Sequence, residues 1–158
     1  MSKVVFDSNG NITPYEVIPF TLAECKDSFV DSFSTSTTRQ RNWDFYLRYL
    51  HDLQSNLINP FTQWVDGSFS TNKLNPDDID LVNFIDYTKF NPALIMFDMN
   101  QSGHYPKHTY NIDGYNVLTF PVAHKYYGTM QDRINYWRNW FGTDRQNSPK
   151  GIIEVSHV

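Results

Sequence analysis

Apolar and polar positions fall into short blocks along this chain, and the period of the blocks changes from one stretch to the next. "KVVFDSNGNITPYEV" sets two short apolar runs around Asn9-Gly10, which predicts a hairpin or tight turn. "FTLAECKDSFV" follows, with Thr21 as N-cap and Glu24 three residues on, the spacing of a capping box. The polar piece "DSFSTSTTRQ" predicts a loop, too short to divide domains. From about Arg39 to Leu57 the pattern is helical. Trp43, Leu47, Leu50 and Leu57 form its stripe, with Arg48, His51, Asp52 and Ser55 off it, so the helix is expected to pack on a sheet.

The second half continues the alternation. "FTQWVDGSF" predicts a strand running into Gly67-Ser68, and "DIDLVNFID" predicts another, with Pro76 suited to its entry. "NPALIMFDM" opens with Asn91 as N-cap and Pro92 in the first turn, the start of a short helix. "TYNIDGYNVLTFPV" predicts one or two strands interrupted at Gly114. In "HKYYGTMQDRINYWRNWFG", Tyr127, Met130, Ile134, Trp137 and Phe141 make a helical stripe, and Gly142 is placed to end it. "GIIEV" predicts a last strand. Helices and strands therefore alternate through one domain spanning residues 1–158, of α/β or α+β class, with a mixed sheet flanked by helices.

Composition narrows the function classes. No stretch approaches the roughly 20 apolar residues of a membrane span, and no signal-peptide pattern opens the chain. The single cysteine, Cys25, excludes an internal disulfide framework. A soluble, cytoplasmic protein is expected. The net charge is −4, without the basic excess of a general DNA binder. It divides unevenly: residues 1–100 hold seven Lys/Arg against thirteen Asp/Glu, and residues 101–158 hold six against four.

Several chemistries are absent. Neither of the two common glycine-rich phosphate loops occurs, and "DGSFS" does not match a nucleophile elbow. Pro106 between His104 and His108 breaks the helical spacing that a zinc pair would use. What remains is "VDGSFSTNKLNPDDIDLV". Alternate residues of a strand share a face, so Asp78 and Asp80 project together. Two such charges repel unless a cation or a proton lies between them. Magnesium takes one or two carboxylates plus substrate phosphates, and glycine lets a phosphate approach backbone N–H groups closely. The plainer alternatives are turn acids at Asp77 and Asp78 and a helix cap at Asp80.

The stretch resembles the signature of the polymerase-beta-like nucleotidyltransferase superfamily. Gly67-Ser68 is followed by nine residues, Phe69 to Asp77, and then by Asp78-Ile79-Asp80-Leu81. With the opening "DSNGNITPYEV" and the closing "YWRNWFGTDRQNSPKGIIEV", nearly the whole chain resembles a bacterial and phage family of small single-domain proteins of that fold. The resemblance implies two Mg²⁺ (or Mn²⁺) ions held by Asp78, Asp80 and a third carboxylate from a later strand. Asp113 of "NIDGY" is preferred over Asp98 of "MFDM", although Gly114 stands where an apolar neighbour is expected. Gly67, Ser68 and Lys73 are then expected to hold the triphosphate.

The implied activity is transfer of a nucleoside monophosphate from a nucleoside triphosphate to a protein, RNA or small-molecule acceptor. A toxin–antitoxin or phage-defence setting is implied too, with a partner protein supplying the acceptor or inhibiting the enzyme. The alternative is a non-catalytic nucleotide-binding or antitoxin-like interaction module with the same fold.

Overall fold

The computed structural model describes residues 4–57 and 60–158. Lys3, at the head of the expected hairpin, lies outside the described residues. The hairpin itself pairs β1 (Val5–Phe6) with β2 (Ile12–Thr13) antiparallel. Asp7 closes the turn, its side chain accepting hydrogen bonds from the Asn9 and Asn11 backbone N–H groups.

After β3 (Val17–Phe20), α1 (Leu22–Lys26) starts at the capping box: Glu24 N–H donates to the Thr21 hydroxyl, and the Glu24 carboxylate accepts from Thr21 N–H. It continues as a π turn over Asp27–Asp31. Helix α2 (Arg39–Asn56) buries Trp43, Tyr46, Tyr49, Leu50 and Leu53. The expected stripe needs one correction, because Leu47 is 41 % exposed and tyrosines take the buried face. Their rings pack while their hydroxyls are satisfied inside: Tyr46 donates to Gln63 Oε1 at 2.7 Å and Tyr49 to the Phe97 carbonyl at 2.9 Å.

Strands β4 (Phe61–Asp66), β5 (Ile79–Asp86), β6 (Ile112–Thr119) and β7 (Ile152–His157) join β3 in a five-stranded mixed sheet of order β3-β7-β4-β5-β6. Two pairs, β3 with β7 and β5 with β6, are parallel; β7–β4 and β4–β5 are antiparallel. The chain is thus an α+β protein with a second, two-stranded sheet. Residues alternate between the sheet faces. On one face Val65, Leu81, Ile85 and Ile112 share a core with α2. On the other Trp64, Val82, Val117 and Ile152 pack with Trp137 and Phe141 of α4 (Tyr127–Phe141).

Three further local expectations change. The 112–119 strand is continuous, running through Gly114. A Cβ on that residue would meet the Tyr49 hydroxyl at 2.7 Å and the Phe97 carbonyl at 3.0 Å, so an apolar neighbour for Asp113 has no room. Pro106 does not break a helix; it lies in the first turn of α3 (Tyr105–Tyr110), where its missing N–H has no intrahelical acceptor anyway. Gly142 caps α4 with φ −80°, a right-handed conformation rather than the left-handed glycine cap.

Candidate metal centre

Strand pairing brings the acidic residues to one place. Asp66, the last residue of β4, stands opposite Asp80, and Asp80 stands beside Asp113 on β6. Asp78 precedes β5 by one residue and, two positions before Asp80, takes the same face. Oxygens of Asp78, Asp80 and Asp113 all lie within 4.8 Å of one another, each residue half-buried. Among the described residues this is the group of three or more Asp, Glu, His or Cys side chains close enough to share an ion.

The electrostatics of the cluster are severe. Burial, then the charges of Asp78, Asp113 and Asp66, push the Asp80 carboxyl up to about 8. Two lysines compensate in part. Lys107, on α3, pairs with Asp78 and lies 3.5 Å from Asp113. Burial works to lower its pKa, but the two carboxylates prevail and raise it. Lys150 is buried against Asp66 at 2.5 Å and donates to the Gly67 carbonyl at 3.1 Å. Burial still lifts Asp66 to about 6 against the pull of Lys150 and the Ser70 hydroxyl. Fully ionised, four carboxylates face two ammonium groups. Two negative charges are left over, which suits one divalent cation.

Gly67 closes the same corner. Its φ of +76° is a region that L side chains rarely adopt, and a Cβ there would collide with the Asp80 carboxylate. Ser68 begins a 3-10 turn over Ser68–Ser70, its carbonyl accepting from Thr71 N–H and, at 2.7 Å, from the Thr71 hydroxyl. Lys73 is exposed in the following loop, and among the described residues no ion pair joins it to the carboxylates. Asp98 lies apart from the triad. It is buried and accepts from the N–H groups of Asn100, Gln101 and, on β6, Asn116. Asp77 is exposed, and its carbonyl accepts from the side chain of Asn111, the residue whose backbone N–H caps α3.

Sequence reasoning missed the residues that hold this corner. Arg39 is fully buried and donates to four carbonyls, of Phe29, Phe69, Thr71 and Lys73, so it pins the loop between Gly67-Ser68 and Asp78. Its sequence position, the first turn of an amphipathic helix, suggests a surface cation. Asp66 was detectable, since it follows Trp64 by two residues and must share its face. Lys107 carries no local signal of this kind; Lys150, beside the turn "RQNSPKG", reads in the sequence as a contact for phosphate or substrate, and the structure pairs it with Asp66.

The donor set is all oxygen, three carboxylates at close quarters, which fits a hard divalent cation such as Mg²⁺ or Mn²⁺ rather than zinc. Among the described residues, no helix is long and apolar enough to cross a membrane. A family model described as a family of unknown function (DUF6932) matches residues 4–156, and the chain belongs to that family. No curated protein matches the chain, and no solved structure matches it.

Proposed function

We propose that this member of the family is a metal-dependent nucleotidyltransferase of polymerase-beta-like fold, acting in the cytoplasm. It transfers a nucleoside monophosphate from a nucleoside triphosphate to an acceptor hydroxyl. The observation that carries the reading is the convergence of Asp78, Asp80 and Asp113 on one sheet face beside a glycine whose backbone and surroundings leave no room for a side chain.

Asp78, Asp80 and Asp113 would hold Mg²⁺ or Mn²⁺. When bound, such ions neutralise the triphosphate and align the in-line displacement at phosphorus. Gly67, without a side chain, lets the Asp80 carboxylate lie against its backbone, while the Gly67 and Ser68 backbone, the Ser68 hydroxyl and the Lys73 ammonium serve the β- and γ-phosphates. Asp113 accepts the proton of the acceptor hydroxyl. The acceptor oxygen bonds to the α-phosphorus, the bond to the bridging oxygen breaks, and pyrophosphate leaves. The acceptor is a protein hydroxyl, an RNA end or a small molecule, brought by a partner chain in a toxin–antitoxin or phage-defence setting.

One observation favours a second reading, a nucleotide-binding or antitoxin-like module without turnover. Lys107 already bridges Asp78 and Asp113, where a metal would sit. Incubation with α- or γ-labelled nucleoside triphosphates, Mn²⁺ and cell extract separates the two. Metal-dependent transfer of the α-label, lost in Asp80→Asn, supports the transferase. Metal-dependent nucleotide binding with no label transferred supports the nucleotide-binding module, and absence of binding removes the transferase and leaves only the antitoxin-like module.

A further inference from the structure

A second feature lies next to the carboxylates on the same sheet face. Tyr115 follows Asp113 by two residues on β6, so its ring stands about 7 Å further along that face. Beyond it opens a hollow of about 520 Å³ between β6 and α4, within the range of small-ligand sites. Its walls are aromatic. Tyr115 packs on Trp137 with ring centroids 4.5 Å apart, and Tyr136 packs on Trp137 at 5.1 Å. Trp140, one turn beyond Tyr136, completes the wall.

These rings are not there to hold α4 down. Met130, Trp137 and Phe141 already bury the packing side of the helix. Tyr136 is 59 % exposed and Trp140 66 % exposed, so two large rings face water at the mouth of a hollow. Asn100, Thr129, Asp132 and Arg133 line it as well and offer hydrogen-bond donors and acceptors beside the ring faces. Flat aromatic rings flanked by donors and acceptors match a planar heteroaromatic ligand that stacks and hydrogen-bonds at its edge. Another hollow, of about 600 Å³, lies by β3 at the opposite edge of the sheet, and none of Asp78, Asp80 and Asp113 lines it.

We infer that the hollow between β6 and α4 receives the base of the nucleotide whose phosphates the carboxylate centre holds. Tyr115 marks the passage, since it touches the aromatic wall and stands next along the strand face from Asp113. The base stacks on Trp140 and Tyr136, and Arg133 and Asn100 meet its edge. The inference rests on the nucleotidyl-transfer reading.

Calorimetric titration in Mg²⁺ tests it, with ATP, CTP and inorganic tripolyphosphate as ligands for wild type, Trp140→Ala and Tyr136→Ala. Both side chains are largely exposed, so the variants should fold. Wild type should bind at least one nucleoside triphosphate about tenfold or more tightly than tripolyphosphate, the range of base–aromatic stacking. Each variant should lose most of that difference and keep its tripolyphosphate affinity. Equal affinity of wild type for all three ligands, or variants that weaken every ligand alike, would overturn the base site and leave the metal–phosphate reading standing. If wild type binds none of the ligands, the transferase reading falls, and the base site with it.

Discussion

Asp80 and Asp113 stand side by side on the parallel strands β5 and β6, at the level of Asp66 on β4. A rung of three carboxylates across one sheet face is unfavourable by itself, because neighbouring like charges on adjacent strands repel. Two lysines from distant parts of the chain offset part of that cost. The remainder would be relieved by a bound divalent cation, as the proposed activity requires.

Asp80→Asn relieves the repulsion without removing volume. In EDTA the variant should melt no lower than wild type. Mg²⁺ at a hundredfold excess over its Kd should add about 2.7 kcal/mol to wild type and clearly less to the variant. Thermal melts with and without Mg²⁺ read both effects. A metal-free variant that melts well below wild type would make Asp80 a structural residue instead.

Lys107 pairs with Asp78 and Asp113, so on the metal-dependent reading it would compete with the ion for them. Lys107→Met should therefore tighten Mn²⁺ binding, by roughly fivefold for about 1 kcal/mol of removed repulsion. Electron paramagnetic resonance of free Mn²⁺ measures this directly. Unchanged or weaker binding would mean that the ammonium and the ion occupy separate places.

Lys150 and Asp66 form a buried pair. Removing one partner leaves an uncompensated charge, so Lys150→Met should cost about 3–5 kcal/mol in urea unfolding. The double variant Asp66→Asn/Lys150→Met should recover part of that loss. Losses that simply add would show the two residues to be uncoupled.

Gly67→Ala places a methyl group against the Asp80 carboxylate on a backbone with positive φ. It should destabilise the fold by about 1–3 kcal/mol and weaken Mn²⁺ binding as well. Loss of stability with unchanged Mn²⁺ affinity would separate the glycine from the centre.

His157 should contribute a pH dependence to stability from the α2 side of the sheet. Its ring stacks on Phe61, and Nε2 lies 2.9 Å from Gln63 Oε1; burial lowers its pKa from 6.5 to about 4. The unfolded chain then binds the proton more readily than the folded one. Stability conferred by His157 is full above pH 6.5 and is lost as pH falls toward 4, at up to about 1.4 kcal/mol per pH unit. Urea midpoints for wild type and His157→Gln across that window should converge as the pH falls. Parallel curves would exclude the histidine as the source.

The hairpin at Asn9-Gly10, the capping box at Thr21, the strand ending before Gly67 and the helix over Tyr127–Phe141 were all legible in the sequence, because each depends on neighbours a few residues away. Period-two alternation along the chain likewise suffices to put Asp78 and Asp80 on one face. The stripe read over α2 misled at Leu47, because tyrosines it did not include take the buried face. Tyr46 and Tyr49 are buried because Gln63 and Phe97 accept their hydroxyl protons, and those acceptors arrive only with the folded sheet.

By itself the sequence determined the alternation of elements and the shared face of two aspartates. Tertiary structure alone decided that Asp66 and Asp113 flank Asp80 in register, that Asp98 is turned to the N–H groups of its own turn and of β6, and that Lys107, Lys150 and Arg39 point inward. The physical reason is range. Backbone periodicity acts between near neighbours and can be read along the chain. The charge balance of a half-buried cluster depends on which distant strands and helices the sheet brings together.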